Sequence, residues 1–318
     1  MFDGKRLSRV RIVAEGCLKR FMVLNKSVRT LLVLGVVVVL VAVVALRRGA
    51  PASVTLPKPN GYADFRQAAT MLSRDSGDWH ELSAEALKAL VATNAASLQL
   101  VRTGLAKGCL VPPYSLNGTG TNSTRLDGLA GQKRLAQAFC AESRLALLEG
   151  RTNDTVRVAL DCCRFGQKAT VGGVLIDALV GIAIQAMGLA CLRDQQLAVD
   201  APTARLVAAG LEELSAGRES LSVISERERR WAREGRFGPP VGFWQWWLTP
   251  ILTRQAYQKM QQKFQQHDAN LRRAMLDFAG RAFEVEHGKP PGSARELVPD
   301  YLRAVPLDPA SGKEMPLR

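Results

Sequence analysis

The run Thr30-Leu-Leu-Val-Leu-Gly-Val-Val-Val-Val-Leu-Val-Ala-Val-Val-Ala-Leu46 constrains this chain more than any other stretch, because its 17 residues carry no charge. At 1.5 Å of rise per residue, a helix of that length just crosses a hydrocarbon layer about 30 Å thick. Residues 1–29 hold eight Lys/Arg against Asp3 and Glu15, and a basic excess beside a span keeps that end in the cytoplasm. The expectation is a single-pass signal anchor in a bacterial inner membrane. It has a basic cytoplasmic segment at 1–29, a transmembrane helix at 30–46, a linker at 47–60 and an extracytoplasmic (periplasmic) domain at 61–318. The rival is a cleaved signal peptide, since Ala50-Pro51-Ala52 has the small-x-small pattern of a cleavage site. Arg47 and Arg48, standing between the run and that site, favour retention. Ahead of the span, Leu7, Val10, Val13, Ala14, Cys17, Leu18, Phe21 and Leu24 share one helical face. Two readings of this stretch stand: a segment lying on the inner leaflet, or a leader ahead of a start at Met22.

The span also explains the charge. The net formal charge is +14, but residues 49–318 hold 33 bases against 27 acids and are close to balanced. The basicity follows membrane topology, so the lipid bilayer and other envelope proteins are the expected partners, and nucleic acid is not. Export would put Cys109, Cys140, Cys162, Cys163 and Cys191 where disulfides persist. Cys140 and Cys162 lie equidistant from Arg151 on the two arms of a hairpin, so a 140–162 disulfide and a pair of buried free thiols are both open. The bridge needs closely packed helices, because bridged Cα atoms sit about 4.4–6.8 Å apart. With no CxxC pair and no HExxH spacing around His80, His267 and His287, no metal, cofactor or catalytic residue is assigned.

The exported part reads as all-α. Pro51 to Asn60 is an extended linker. Tyr62 to Ser73 makes a short helix, and Ser83 caps a longer one with Leu87, Leu90, Val91, Leu98 and Val101 on its apolar face. Cys109-Leu-Val-Pro-Pro113 and the Gly/Thr/Asn stretch to Thr124 form a loop without the lysine of a phosphate-binding loop. From Asp127 a helical hairpin turns at Gly150 and looks like one tetratricopeptide-type unit, without a second copy at the repeat period. Val171 to Leu192 is apolar almost throughout. It reads as the buried centre of the domain, with a second membrane span as the alternative, and its Asp177 is expected to pair with an arginine such as Arg157 or Arg164. Asp200, Pro202 and Thr203 open a helix predicted to run toward Arg230. Phe243, Trp244, Trp246 and Trp247 form an aromatic cluster that either contacts the membrane interface or plugs the core. Thr249-Pro250 predicts the start of a long helix carrying Tyr257, Met260, Phe264, His267, Leu271 and Phe278 to Gly288, with His267 a hydrogen-bonded core histidine.

After Gly288 comes a small turn-rich tail. A short helix holds Leu297, Val298 and Tyr301, and Asp308-Pro309 with Gly312 turns the chain so that Met315 and Leu317 fold back. This stretch, with Pro299, Tyr301, Pro306, Asp308, Pro309 and Gly312 as its fixed points, resembles a tail of the form ELVPxYLxxxPxDPxxGK. That tail recurs in uncharacterised membrane-anchored helical proteins of planctomycete-like bacteria. It is similar, more weakly, to the tail of type II secretion pseudopilins. The resemblance implies an anchor and a helical domain, and no catalytic residues. Three functions follow in order: an envelope scaffold or protein-interaction module, an accessory part of a secretion or pilus-like machine, and a hydrolase-type enzyme using acidic residues such as Asp177.

Overall fold

In a computed structural model, the chain divides into two units, 1–52 and 53–318. The described residues are 54–73, 79–113, 122–193, 198–234, 236 and 243–317, and the predicted span at 30–46 with its basic flank lies outside them. The described part of the second unit is all-α, with eight α-helices. An isolated antiparallel bridge joins Leu307 to Glu314.

Helix α1 (Gly61–Met71) starts at Asn60, whose side chain accepts from Tyr62 N–H at 3.1 Å and also clasps both backbone groups of Leu110. Helix α2 (Ala84–Leu105) starts at the expected Ser83, which accepts from Ala86 N–H. Helices α3 (Asn122–Leu148) and α4 (Thr152–Lys168) form the predicted hairpin. Its turn closes with Arg151 N–H donating to Ala146 O at 2.8 Å, and Gly150 adopts φ 75°, a conformation only glycine enters without strain.

Helix α5 (Leu175–Arg193) is the apolar segment, followed by α6 (Ala201–Ala216), α7 (Leu221–Arg233) and α8 (Phe243–His287). Asp200 caps α6 as expected, accepting from Thr203 N–H at 2.8 Å. The continuous helix predicted from Asp200 to Arg230 does not form. It stops at Ala216 with Gly217 as C-cap, and Ser220 opens α7 by accepting from Val223 N–H. A glycine followed three residues later by serine is a stop and a start, and together they outweigh the helix-favouring charges between them. The long helix also begins earlier than Thr249-Pro250. It starts at Phe243 and runs 45 residues, about 67 Å at the standard rise, with Pro250 in its third turn.

Two large hydrophobic clusters and a small third one, of Leu87, Ala141 and Leu145, fill the described part of the domain. Phe65, Leu98, Phe139, Phe165 and Ile184 belong to one, built on α1 to α5. Leu160, Leu192, Leu211, Phe278 and Leu297 belong to the other, built on α4, α5, α6, α8 and the tail. Helices α4 and α5 supply both large clusters and form the wall between them. Their contact is made by absent side chains. A Cβ on Gly166 would stand 2.8 Å from Gly181 O, and one on Gly188 would stand 2.8 Å from Ala159 O and 2.6 Å from Cys163 Sγ.

Candidate functional site

The side chains that chemistry would need are mostly committed to holding α5 in place. Asp177 is 1% exposed and accepts from Val174 N–H at 2.8 Å, reaching back over Gly173, where a Cβ would strike it. Glu228 on α7 accepts from Leu175 N–H at 3.3 Å, and Glu219 accepts from Gly172 N–H at 3.1 Å. Three carboxylates therefore take up the N–H groups at the start of α5, where helix-end donors and the dipole favour negative charge. Burial pushes the Glu228 carboxyl up, and its bond from Leu175 opposes that. Arg227 ties the arrangement together, donating to Gly173 O at 2.6 Å and to Glu219. The expected pairing of Asp177 with Arg157 or Arg164 is thus corrected. Arg157 lies 3.9 Å from Asp154 and Arg164 3.5 Å from Asp161, each three residues away on its own helix. Short-range partners on the same helix claimed both arginines.

His267 sits on the core side of α8, 4% exposed, and its Nε2–H donates to Gln185 Oε1 at 2.7 Å. Gln185 passes the link on, its Nε2 donating to Cys163 O at 3.4 Å. A polar strut so joins α8, α5 and α4 through the core. Burial, and then the charge of Arg218, hold the His267 imidazole down to about 3, so it is neutral. Arg218 itself pairs with Asp268 and stacks 5.0 Å over Phe264.

Two open clefts of about 540 Å³ flank these helices. The first contains Arg102, Asp161, Arg164 and Lys168. There Arg102 bridges Glu142 at 2.7 Å and Asp161 at 3.2 Å while lying 5.2 Å over the Phe139 ring. The second, beside the tail, contains Arg193, Arg273, Arg281, Asp277 and Glu284. Neither brings a nucleophile onto a base, and among the described residues no three of His, Cys, Asp and Glu are grouped to hold a metal.

The tail residues act as a latch. Arg205 on α6 grips Glu286 through Nε at 2.7 Å and Nη2 at 2.5 Å, lies 3.9 Å over the Tyr301 ring and donates to Asp300 O. Tyr301 in turn donates its hydroxyl to Glu286 at 2.5 Å. The bonds from Arg205 and then Tyr301 hold the Glu286 carboxyl down to about 2. Pro299 follows a cis peptide bond, and Met315 N–H donates to Pro306 O. Asp308, ahead of Pro309, accepts from Ala310 and Ser311 N–H, and Gly312 takes φ 69°. Met315 is buried, as the fold-back predicts. Cys140 and Cys162 are buried free thiols, with no disulfide between them, and Cys162 donates to Ile184 O at 3.7 Å. Phe243, Trp244, Trp246 and Trp247 fall on the first turns of α8, and their side chains lie outside the described residues.

One feature escaped the sequence reading. Helix α5 is the one described helix long and apolar enough to cross a membrane, yet only 44% of it is buried in the domain. Its inner face, Gly181, Ile184, Gln185, Gly188 and Leu189, is buried. The opposite ridge, Ile176, Leu179, Ala183, Ala186 and Ala190, carries no polar side chain and is exposed or half-exposed. The signal was present in the sequence: a helix packed on one side only does not need apolar residues all round. No protein family, curated protein or solved structure matches the chain.

Proposed function

We propose that the chain is a single-pass inner-membrane protein whose extracytoplasmic helical domain, with its one tetratricopeptide-like hairpin, is a scaffold that docks another envelope protein on the outer ridge of α5. The ridge carries the reading. Its spacing of three and four residues matches what a partner helix would bury, and the alanines at 183, 186 and 190 allow close backbone approach. The acids that an enzyme would need are spent on N–H groups and arginines, and this weighs against the hydrolase reading. The anchor rests on the run at 30–46 and the basic flank before it.

The test is site-specific photo-crosslinking in intact cells, with the photoreactive residue at Ala183 and a control at exposed Lys88 on α2. The reading predicts a discrete adduct with another envelope protein from Ala183 and none from Lys88. Adducts of equal strength from both positions, or none from Ala183, would remove it.

A further inference from the structure

The two clefts differ in what their charged groups are already doing. In the first, Arg102 is shared between Glu142 and Asp161, Arg164 faces Asp161, and Lys168 donates to the carbonyls of Leu105 and Lys107, so every base lining it has a partner. In the second, Arg193, Arg273 and Arg281 line one trough, and of the three only Arg281 meets a carboxylate among the described residues, Glu284 at 3.2 Å. Arg273 gives an N–H to the Pro316 carbonyl, and the Nε of Arg281 is buried without an acceptor. A guanidinium carries five N–H donors, so most of the donor capacity in this cleft is unspent within the described residues.

The trough follows one face of α8, where Asn270, Arg273, Asp277, Arg281 and Glu284 recur at steps of three and four residues. Gly280 leaves this face without a side chain between its charges, and an added Cβ there would meet only Pro291, at 3.8 Å. Arg193 at the end of α5 and Leu317 of the tail complete the lining. From this arrangement we infer that the second cleft binds a small organic carboxylate, its charged end held by the arginines of α5 and α8 and its short apolar body lying over Ala274, Gly280 and Pro291.

Planar guanidinium forks match the paired oxygens of a carboxylate or of a phosphate. The charge of the lining selects between them. Three arginines against Asp277 and Glu284 leave one positive charge, which suits a monoanion, and the two acids repel the second charge of a phosphate dianion. The cavity of about 540 Å³ lies within the range of small-molecule sites. The helix dipole accounts for a cation at Arg193, in the last turn of α5, but not for Arg273 and Arg281 in the body of α8. The lining includes none of the ridge residues of α5, so the inference stands whether or not that ridge docks a partner.

The experiment is saturation-transfer NMR on the full chain in mild detergent, referenced to detergent alone, with sodium butyrate and uncharged butyramide as probes and inorganic phosphate as competitor at matched ionic strength. Butyrate is expected to saturate one site with a Kd below about 10 mM, and butyramide and phosphate to bind at least about tenfold more weakly. Arg193→Gln removes an exposed side chain from the end of α5 and should weaken butyrate at least about tenfold while thermal melting stays unchanged. Gly280→Leu fills the trough without touching a charge and should weaken butyrate to a similar extent. Arg193→Gln decides the matter should Gly280→Leu fail to fold. No saturable butyrate signal, butyramide or phosphate binding as tightly as butyrate, or butyrate binding unchanged in Arg193→Gln or in folded Gly280→Leu would overturn the inference.

Discussion

The two faces of α5 are both largely apolar and do opposite things. The inner face meets α4 through Gly166, Gly181 and Gly188 so closely that backbone touches backbone, and one of its polar residues, Gln185, is bonded on to both His267 and Cys163. The outer face, from Ile176 to Ala190, is left largely uncovered by the rest of the domain. Apolarity all round a helix therefore has two causes in one element: packing on one side, and, as proposed, docking on the other. The difference also separates what a substitution should cost on each side.

The largest effect is expected where the inner contact is tightest. Gly188→Leu would drive a side chain into Ala159 O and Cys163 Sγ and should destabilise the domain by about 3 kcal/mol, read as a lowered urea midpoint. Tyr301→Ala comes next. It empties a mostly buried aromatic site under Arg205 and should cost about 2 kcal/mol in the same assay. The Glu286 side of that latch should be insensitive to mild acid. Its folded pKa is depressed from 4.5 to about 2, so its contribution is complete above about 4.5 and is lost progressively as pH falls from there to about 2.

The inner face should instead be acid-sensitive through His267. Its folded pKa lies near 3 against an ordinary 6.5, so between those values the unfolded chain binds a proton that the folded one does not. Stability should fall as pH is lowered from about 6.5 toward 3, with a limiting slope of about 1.4 kcal/mol per pH unit. His267→Gln should flatten that slope, as pH-dependent urea unfolding would show. An unchanged slope would place the acid sensitivity in other groups.

How much of this could be read from the residues depends on how local the deciding interaction is. Ser83, Gly150 and Asp200 act within one turn, and each did what its type predicts. His267 on its apolar ladder and the fold-back at Asp308 to Gly312 were legible for the same reason. The break at Gly217 to Ser220 is equally local, and its stop and start signals were masked by the charged run that follows. Asp177 was harder. Its carboxylate is used with those of Glu219 and Glu228, residues 42 and 51 positions away, and no pattern in the chain announces that convergence. The α4–α5 glycines show as small residues, but which carbonyl each one meets is a tertiary fact. The exposed ridge of α5 belongs to the same class, because burial is decided by neighbours.

The smallest effect on stability and the largest on function should come from that ridge. Ile176→Lys with Ala183→Lys is expected to shift unfolding by no more than about 0.5 kcal/mol, as exposed substitutions do. The most direct measurement is photo-crosslinking of the full chain in cells with the photoreactive residue at Leu179, comparing the wild-type ridge with one carrying Ile176→Lys and Ala183→Lys. The docking account predicts a discrete adduct with another envelope protein that the lysine pair abolishes while the domain stays folded. An adduct that survives the lysine pair, or a wild-type ridge that crosslinks to nothing, would contradict it.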